Sequence, residues 1–341
     1  MGLYSLITSF RNWCFDKGIL REHRYATPII GVGNLAVGGT GKTPHVEYIA
    51  RLLAGRRVAV VSRGYGRKTH GFLRVEQHST ADEVGDEPLC LKLQHPELDV
   101  CVCGKRVEAM EILLSGEQPT PDVVILDDNF QHRYVRAGLQ LLLTDYSRLY
   151  VSDRVMPYGR LREVSSGAER ADVVIVTKCP SALSPAGAQS IVARLRLAPH
   201  QKVFFTTFGY APLRPLFGGP AFSAPASKLL LITGIARPEP LLQYLSSSPL
   251  TTEGGVANFL RFSDHHRFSA RDIERIVSAG AEADAIVTTS KDAVRLLQHE
   301  HAFPDNMRRK LYVQDIAVEF LFGGEQAFSE IVFNEMARYT K

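Results

Sequence analysis

One stretch constrains this chain more than any other: Gly33-Asn34-Leu35-Ala36-Val37-Gly38-Gly39-Thr40-Gly41-Lys42-Thr43. An extended apolar run, Thr27-Pro28-Ile29-Ile30-Gly31-Val32, leads into it, and a helical pattern from His45 to Leu53 leads out. Strand, glycine loop, Gly-Lys-Thr and helix, in that order, make a phosphate-binding P-loop. Glycines let backbone N–H groups turn inward around phosphate oxygens where a Cβ would obstruct them. The helix N-terminus adds about half a positive charge. The expected nucleotide-binding set is therefore Val37, Gly38, Gly39, Thr40, Gly41, Lys42 and Thr43. Lys42 reaches the β- and γ-phosphates, and the Thr43 hydroxyl meets Mg²⁺. Pro44 suits a first helical turn, where its missing N–H would have had no partner. The strict pattern wants glycine where this chain has Ala36. The competing reading, a glycine-rich turn that happens to precede Lys-Thr, does not account for the flanking strand and helix.

Alternating strands and helices follow. Arg57-Val58-Ala59-Val60-Val61 is a strand ending in the glycine-spaced loop Ser62-Arg63-Gly64-Tyr65-Gly66-Arg67. Such a loop belongs at the carboxyl edge of a parallel sheet, where Arg63 and Arg67 could meet phosphate; it could equally be a surface turn. Val84-Gly85-Asp86-Glu87-Pro88 opens a helix. Its two carboxylates either cap the helix or act as a general base and a metal contact. Val123-Val124-Ile125-Leu126 before Asp127-Asp128 reads as a buried parallel strand delivering a carboxylate to its tip, the Walker B arrangement that polarises the Mg²⁺ shell. Thr43, Glu87 and Asp127 are thus the expected metal-contacting residues. Further strands are predicted at 139–145, 171–178 and 203–208. The fold class is α/β: a P-loop NTPase with a doubly wound, mainly parallel sheet, and a second, smaller α/β domain. The expected divisions are an N-terminal helix over 1–24, a P-loop domain over 25–205, a linker over 206–227 rich in proline and turn residues, and a C-terminal α/β domain over 228–341.

In residues 1–24, Leu3, Leu6, Ile7, Phe10, Trp13 and Cys14 recur at helical spacing, with Arg11, Lys17, Arg21 and Arg24 interleaved or following. The helix either lies in a membrane interface or packs on its own domain. No apolar run approaches the roughly 18–20 residues of a membrane span. A net charge of +4 over 341 residues is too mild for a nucleic-acid-coating protein, and no nucleic-acid partner is expected. Five scattered cysteines give no metal spacing and read as reduced thiols. Phosphoryl transfer to a hydroxyl needs a base, cations over the moving phosphoryl group and an acceptor platform. Asp264-His265-His266, after a strand in the second domain, could relay a proton or simply cap the strand.

Taken together, Val37-Gly38-Gly39-Thr40-Gly41-Lys42-Thr43-Pro44, Ser62-Arg63-Gly64-Tyr65-Gly66, Gly85-Asp86-Glu87-Pro88, Leu126-Asp127-Asp128-Asn129-Phe130-Gln131-His132, Asp264-His265-His266 and Lys291-Asp292-Ala293 resemble the tetraacyldisaccharide 4′-kinases of lipid A biosynthesis. The resemblance spans nearly the whole chain. It implies ATP and Mg²⁺, and transfer of the γ-phosphate to the 4′-hydroxyl of an acylated glucosamine disaccharide 1-phosphate lipid, giving lipid IVA. It also implies peripheral attachment to the cytoplasmic face of the inner membrane, with Asp86 as catalytic base and His265 as its partner. A small residue replaces the first Walker glycine in this family, which accommodates Ala36. Asn129 stands where the family has glycine, and a left-handed turn at Asn129 is expected to preserve the bend. Two alternatives are a P-loop GTPase, suggested by Thr289-Ser290-Lys291-Asp292, and a membrane-positioning ATPase switch. The first lacks the Asn and the spacing, and the second needs a lysine where Val37 stands.

Overall fold

The computed structural model describes residues 2–116, 119–223, 225–252, 256–264 and 266–339. The strands are β1 (Ile29–Asn34), β2 (Val58–Ser62), β3 (Leu73–Arg74), β4 (Asp99–Val102), β5 (Val123–Asp127), β6 (Leu139–Asp145), β7 (Val173–Thr177), β8 (Lys202–Tyr210), β9 (Arg214–Pro215), β10 (Leu229–Thr233), β11 (Val256–Arg261), β12 (Ala285–Thr289), β13 (Leu311–Gln314) and β14 (Ile316–Phe320). The α-helices are α1 (Leu3–Asp16), α2 (Lys42–Leu52), α3 (Ala81–Val84), α4 (Asp86–Gln94), α5 (Arg106–Leu113), α6 (Pro185–Leu195), α7 (Glu239–Ser247), α8 (Ala270–Ala279), α9 (Ser290–Leu297), α10 (Asp305–Arg308) and α11 (Gly324–Ala337). The chain divides into two compact units, Met1–Gly209 with Ala317–Lys341, and Tyr210–Ile316.

The first unit is built on a sheet of order β14-β8-β7-β6-β1-β5-β2-β4-β3. From β8 through β4 the neighbours pair in parallel, and β3 closes that edge antiparallel. Every residue of β1, β2, β5 and β7 is buried. Continuous apolar runs therefore suit these positions, because helices cover both faces of a parallel sheet. The register sets Val32 of β1 beside Asp127 of β5. The P-loop and the Walker B carboxylate thus leave the sheet at one edge, where the chain's crossovers turn to opposite sides of β1.

In the second unit the sheet order is β11-β10-β12-β13-β9, parallel except for β9. Leu230 and Ile232 face a core with Phe262, Ile276 and Leu296, while Leu229 and Leu231 face Leu245 and Val287 on the other side. This is the two-residue alternation of a strand covered on both faces.

Three details differ from the sequence expectations. Helix α1 stops at Asp16, because Gly18 turns into the left-handed region (φ 69°) and the following chain extends to pair His23 with Val135. Strand β8 runs to Tyr210, inside the stretch expected as linker. The closing helix, expected with the second domain, belongs to the first unit: Phe328 packs on Tyr48, Phe204 and Phe320, and Tyr48 donates to Glu325 at 2.9 Å. Phe328→Ala, at a fully buried position, is expected to destabilise the first unit by about 3–5 kcal/mol in urea denaturation followed by circular dichroism.

Candidate active site

The P-loop is held from three directions. Gly38 and Gly41 take left-handed backbone (φ 108° and 85°), and a Cβ on Gly41 would sit 2.6 Å from the Phe208 ring. Asn34 Nδ2 donates to Thr40 Oγ1 at 2.7 Å, and Thr177 Oγ1 at the tip of β7 donates to the Thr40 carbonyl at 2.9 Å. Lys178, itself left-handed (φ 57°), donates to the Gly39 carbonyl and to Asp145 at 2.9 Å. On the other flank the Val37 N–H donates to Arg160 O at 2.8 Å and Arg162 N–H to Leu35 O at 2.7 Å. Ala36 pairs there with Leu161 in extended form, so the missing glycine removes no conformation the loop uses.

Below the loop, His45 is buried. Its Nδ1 lies 2.7 Å from the Gly41 carbonyl and its Nε2 3.1 Å from Thr206 Oγ1. A carbonyl only accepts, so Nδ1 donates and Nε2 receives the threonine hydroxyl, leaving a neutral ring. Burial pulls its pKa down to about 4.

The carboxylates meet Lys42 and Thr43 directly. Thr43 Oγ1 donates to Glu87 Oε2 at 3.0 Å. Asp127 is buried at the end of β5, and its Oδ2 accepts from Ser62 Oγ at 3.0 Å. Its Oδ1 has no hydrogen-bond partner among the described residues. Burial, reinforced by the nearby charge of Glu87, pushes the Asp127 pKa up to about 6, against the pull of Lys42. Asp128 behaves oppositely: burial works against its charge, but Lys42 at 3.4 Å and Arg162 at 2.8 Å hold its carboxyl below the usual range. Arg106 is buried beneath, donating to the Cys103 carbonyl and, at 2.8 Å, to the Asp127 carbonyl.

Among the described residues no three His, Cys, Asp or Glu side chains could hold a metal by themselves. Mg²⁺ does not demand that, since it keeps waters and phosphate oxygens and takes only one or two carboxylates. An orphaned Oδ1 and two mutually repelling carboxylates beside a threonine hydroxyl fit such an ion.

Asp86 and Glu87 open α4, each partly exposed. A Cβ on Gly85 (φ 91°) would lie 3.0 Å from the Tyr65 carbonyl, so the Arg63–Gly66 loop packs against the start of that helix. Arg63 is exposed. Arg67, by contrast, braces the loop, donating to Gly71 O at 2.7 Å and Val102 O at 3.4 Å. His265 lies outside the described residues. His266, in the second unit, is engaged by Asp272 at 3.1 Å and Ser263 at 3.3 Å. The bend after Asp127 is made by Asp128 (φ 52°) and not by Asn129, which is buried and donates its N–H to Val32 O at 3.2 Å. Sequence reasoning assigned none of Asp128, Arg162, Lys178 and Arg106 to this site: Asp128 lay beside the Walker B carboxylate, Arg162 in an arginine-rich segment that reads as either an anion-facing or a solvated loop, Lys178 at the end of a predicted strand and Arg106 at a helix start.

Buried Glu163 ties α1 to this site. It accepts from Asn12 Nδ2 at 2.6 Å, Arg170 at 2.8 Å and Gln131 at 3.1 Å, and Gln131 also donates to the Asn34 carbonyl at 2.8 Å. The opposite side of α1 exposes Leu6, Ile7, Phe10 and Trp13.

The depressed pKa of His45 has a definite sign. The unfolded chain binds this proton first as pH falls, so the stability of the neutral ring is complete above pH 6.5 and is lost between there and about pH 4. The full loss is roughly 3 kcal/mol. Unfolding midpoints measured from pH 7 to 4 should fall, and His45→Gln should flatten that part of the profile.

A sequence model of the family described as "Tetraacyldisaccharide-1-P 4'-kinase" matches residues 1–337. The chain is 44% identical to a "Tetraacyldisaccharide 4'-kinase" of Parabacteroides distasonis over 97% of its own length and 91% of the relative's. It is 40% identical to the protein of that name from Bacteroides thetaiotaomicron, over 99% and 92%. Among solved structures it resembles LpxK from Aquifex aeolicus, crystallised in complex with ATP, with TM-score 0.74 and 27% identity over 98% of this chain and 96% of that one. With its P-loop, its Asp127–Glu87 pair and a match over almost every residue, this chain belongs to the tetraacyldisaccharide-1-P 4′-kinase family.

Proposed function

We propose that this protein is an ATP-dependent kinase that phosphorylates the 4′-hydroxyl of tetraacyldisaccharide 1-phosphate, forming lipid IVA in lipid A biosynthesis. The observation that carries the reading is the meeting of Lys42, Thr43, Glu87 and Asp127 at one sheet edge in a chain of this family. The backbone of Val37 to Gly41 cradles the phosphates, and Lys42 exchanges Asp128 for phosphate oxygens when ATP arrives. Thr43, Glu87 and Asp127 would hold Mg²⁺, which would supply positive charge against the developing charge of the triphosphate. Arg63 adds a cation from the loop packed on α4. Asp86 accepts the proton of the 4′-hydroxyl as that oxygen bonds to the γ-phosphorus and the bridge to ADP breaks. His265 assists Asp86, a role that rests on the motif resemblance alone.

The acceptor is a lipid, and α1 supplies the means of reaching it. Phe10 is 67% exposed and Trp13 47% exposed, with Leu6 and Ile7 beside them. Withdrawing four such side chains from water is worth roughly 6–10 kcal/mol gross, enough for reversible attachment to the cytoplasmic face of the inner membrane. No described helix is long and apolar enough to cross a membrane, so attachment is peripheral.

Two experiments test these assignments. Asp86→Asn should lower phosphate transfer from labelled ATP to the disaccharide 1-phosphate lipid by at least about 10²-fold, with ATP affinity retained. Near-normal transfer would remove Asp86 from the mechanism, and strict preference for GTP would overturn the nucleotide assignment. The double variant Phe10→Asp, Trp13→Asp should lose sedimentation with lipid vesicles while keeping ATP binding; unchanged sedimentation would refute the role given to α1.

A further inference from the structure

A cavity of about 490 Å³ lies in the first unit beneath the segment from Asn129 to Gly138. Gly138 and Gln140 at the start of β6, and Asp172 just before β7, line its base. These are the amino ends of β6 and β7, whose carboxyl ends, Asp145 and Thr177, lie by the P-loop, so the base of the cavity is at the opposite end of these strands and only its Asn129–Phe130 wall adjoins the Walker B segment.

Its charges are not balanced within it. Five guanidinium groups, from Arg24, Arg133, Arg136, Arg170 and Arg338, face three carboxylates. Glu22 and Asp16 satisfy Arg133 at 2.9 and 2.8 Å, Glu163 satisfies Arg170, and Glu335 satisfies Arg338 at 2.8 Å. Arg136 reaches Glu22 only at 3.7 Å, and Arg24 has no ion pair among the described residues. Asn129 adds an independent observation. It lines the same cavity, is 2% exposed, and its Oδ1 has no hydrogen-bond partner among the described residues. A buried acceptor left in that state costs about 1–3 kcal/mol, which a ligand hydroxyl would recover.

Guanidinium groups select phosphate, while amide oxygens and carboxylates accept from hydroxyls. We propose that this cavity is a second binding site, for a phosphate ester carrying free hydroxyls, of the glycerol-phosphate or sugar-phosphate class. Arg24 and Arg136 take the phosphate, and Asn129 Oδ1 accepts from a hydroxyl. The ligand is either a soluble ester or the phosphoglycerol headgroup of a lipid, since Arg24 follows the segment that begins with α1.

The test is thermal unfolding of the full chain with glycerol 3-phosphate, with glycerol as the uncharged control. It is run on the wild type, on the P-loop variant Lys42→Ala, and on Arg24→Gln with Arg136→Gln combined. At about ten times the dissociation constant, glycerol 3-phosphate should raise the midpoint by roughly 3 °C in the wild type and in Lys42→Ala, and not in the double arginine variant. A shift lost in Lys42→Ala and kept in the arginine variant would assign the phosphate to the P-loop and overturn the proposal, as would an equal shift with glycerol. If the soluble ester gives no shift, binding to phosphatidylglycerol vesicles over phosphatidylcholine vesicles that drops at least about tenfold in the arginine variant identifies the headgroup as the ligand. Absence of both effects refutes the site.

Discussion

The burial of the Asp127 carboxylate, with the charge of Glu87 beside it, is the constraint around which the P-loop edge is arranged. Burial first, and the neighbouring Glu87 charge second, push the Asp127 pKa up to about 6, against the pull of Lys42. Ser62 and Thr43 each satisfy one oxygen, and Lys42 sits close enough to moderate the charge while bonded to Asp128. The resting site is a set of compensations that a metal and a triphosphate would replace. Asp128 pairs with Lys42 at the end of the P-loop, and Arg162 holds Asp128 from the neighbouring loop.

Everything around these groups serves to fix where strands end. The Val32–Asp127 register joins two sequence segments nearly a hundred residues apart at one edge. The P-loop is then restrained through the carbonyls of Thr40 and Gly39, by Thr177 and Lys178, and at its start through the Val37 N–H, which donates to Arg160 O. The N-terminal helix joins the same framework through Glu163, which bonds α1, Gln131 and Arg170 at once. A helix with an apolar outer face is thereby attached by polar contacts to the start of the P-loop.

How much of this was legible follows from the range of each interaction. The P-loop was readable because its glycines answer local backbone needs, two of them at positive φ. Asp127 was readable because four apolar residues before a carboxylate describe a buried strand tip. Asp86 was singled out as a base by resemblance, since two acids at a helix start are equally good caps. The role of Lys178 escaped notice because its partners Gly39 and Asp145 lie far away in sequence, and nothing local predicts a left-handed lysine or the burial of Arg106. Asn129 was misassigned for a related reason: two adjacent residues could take the left-handed turn, and contacts of Asp128 with Lys42 and Arg162 decided between them. The destination of α11 was invisible because its partners, Tyr48 and Phe204, lie far away in sequence and in a different predicted domain.

That destination bears on how the molecule comes into being. The second unit is continuous in sequence, whereas the first is completed only by β14 and α11, after Ala317. During synthesis the β8 edge and the surface around Tyr48 and Phe204 wait uncovered while more than a hundred residues of the second unit emerge and fold. The unit that carries the P-loop is therefore begun first and finished last. Its unpaired edge is exposed to the cell for the whole interval, which makes this the stage at which the nascent chain most needs protection from aggregation.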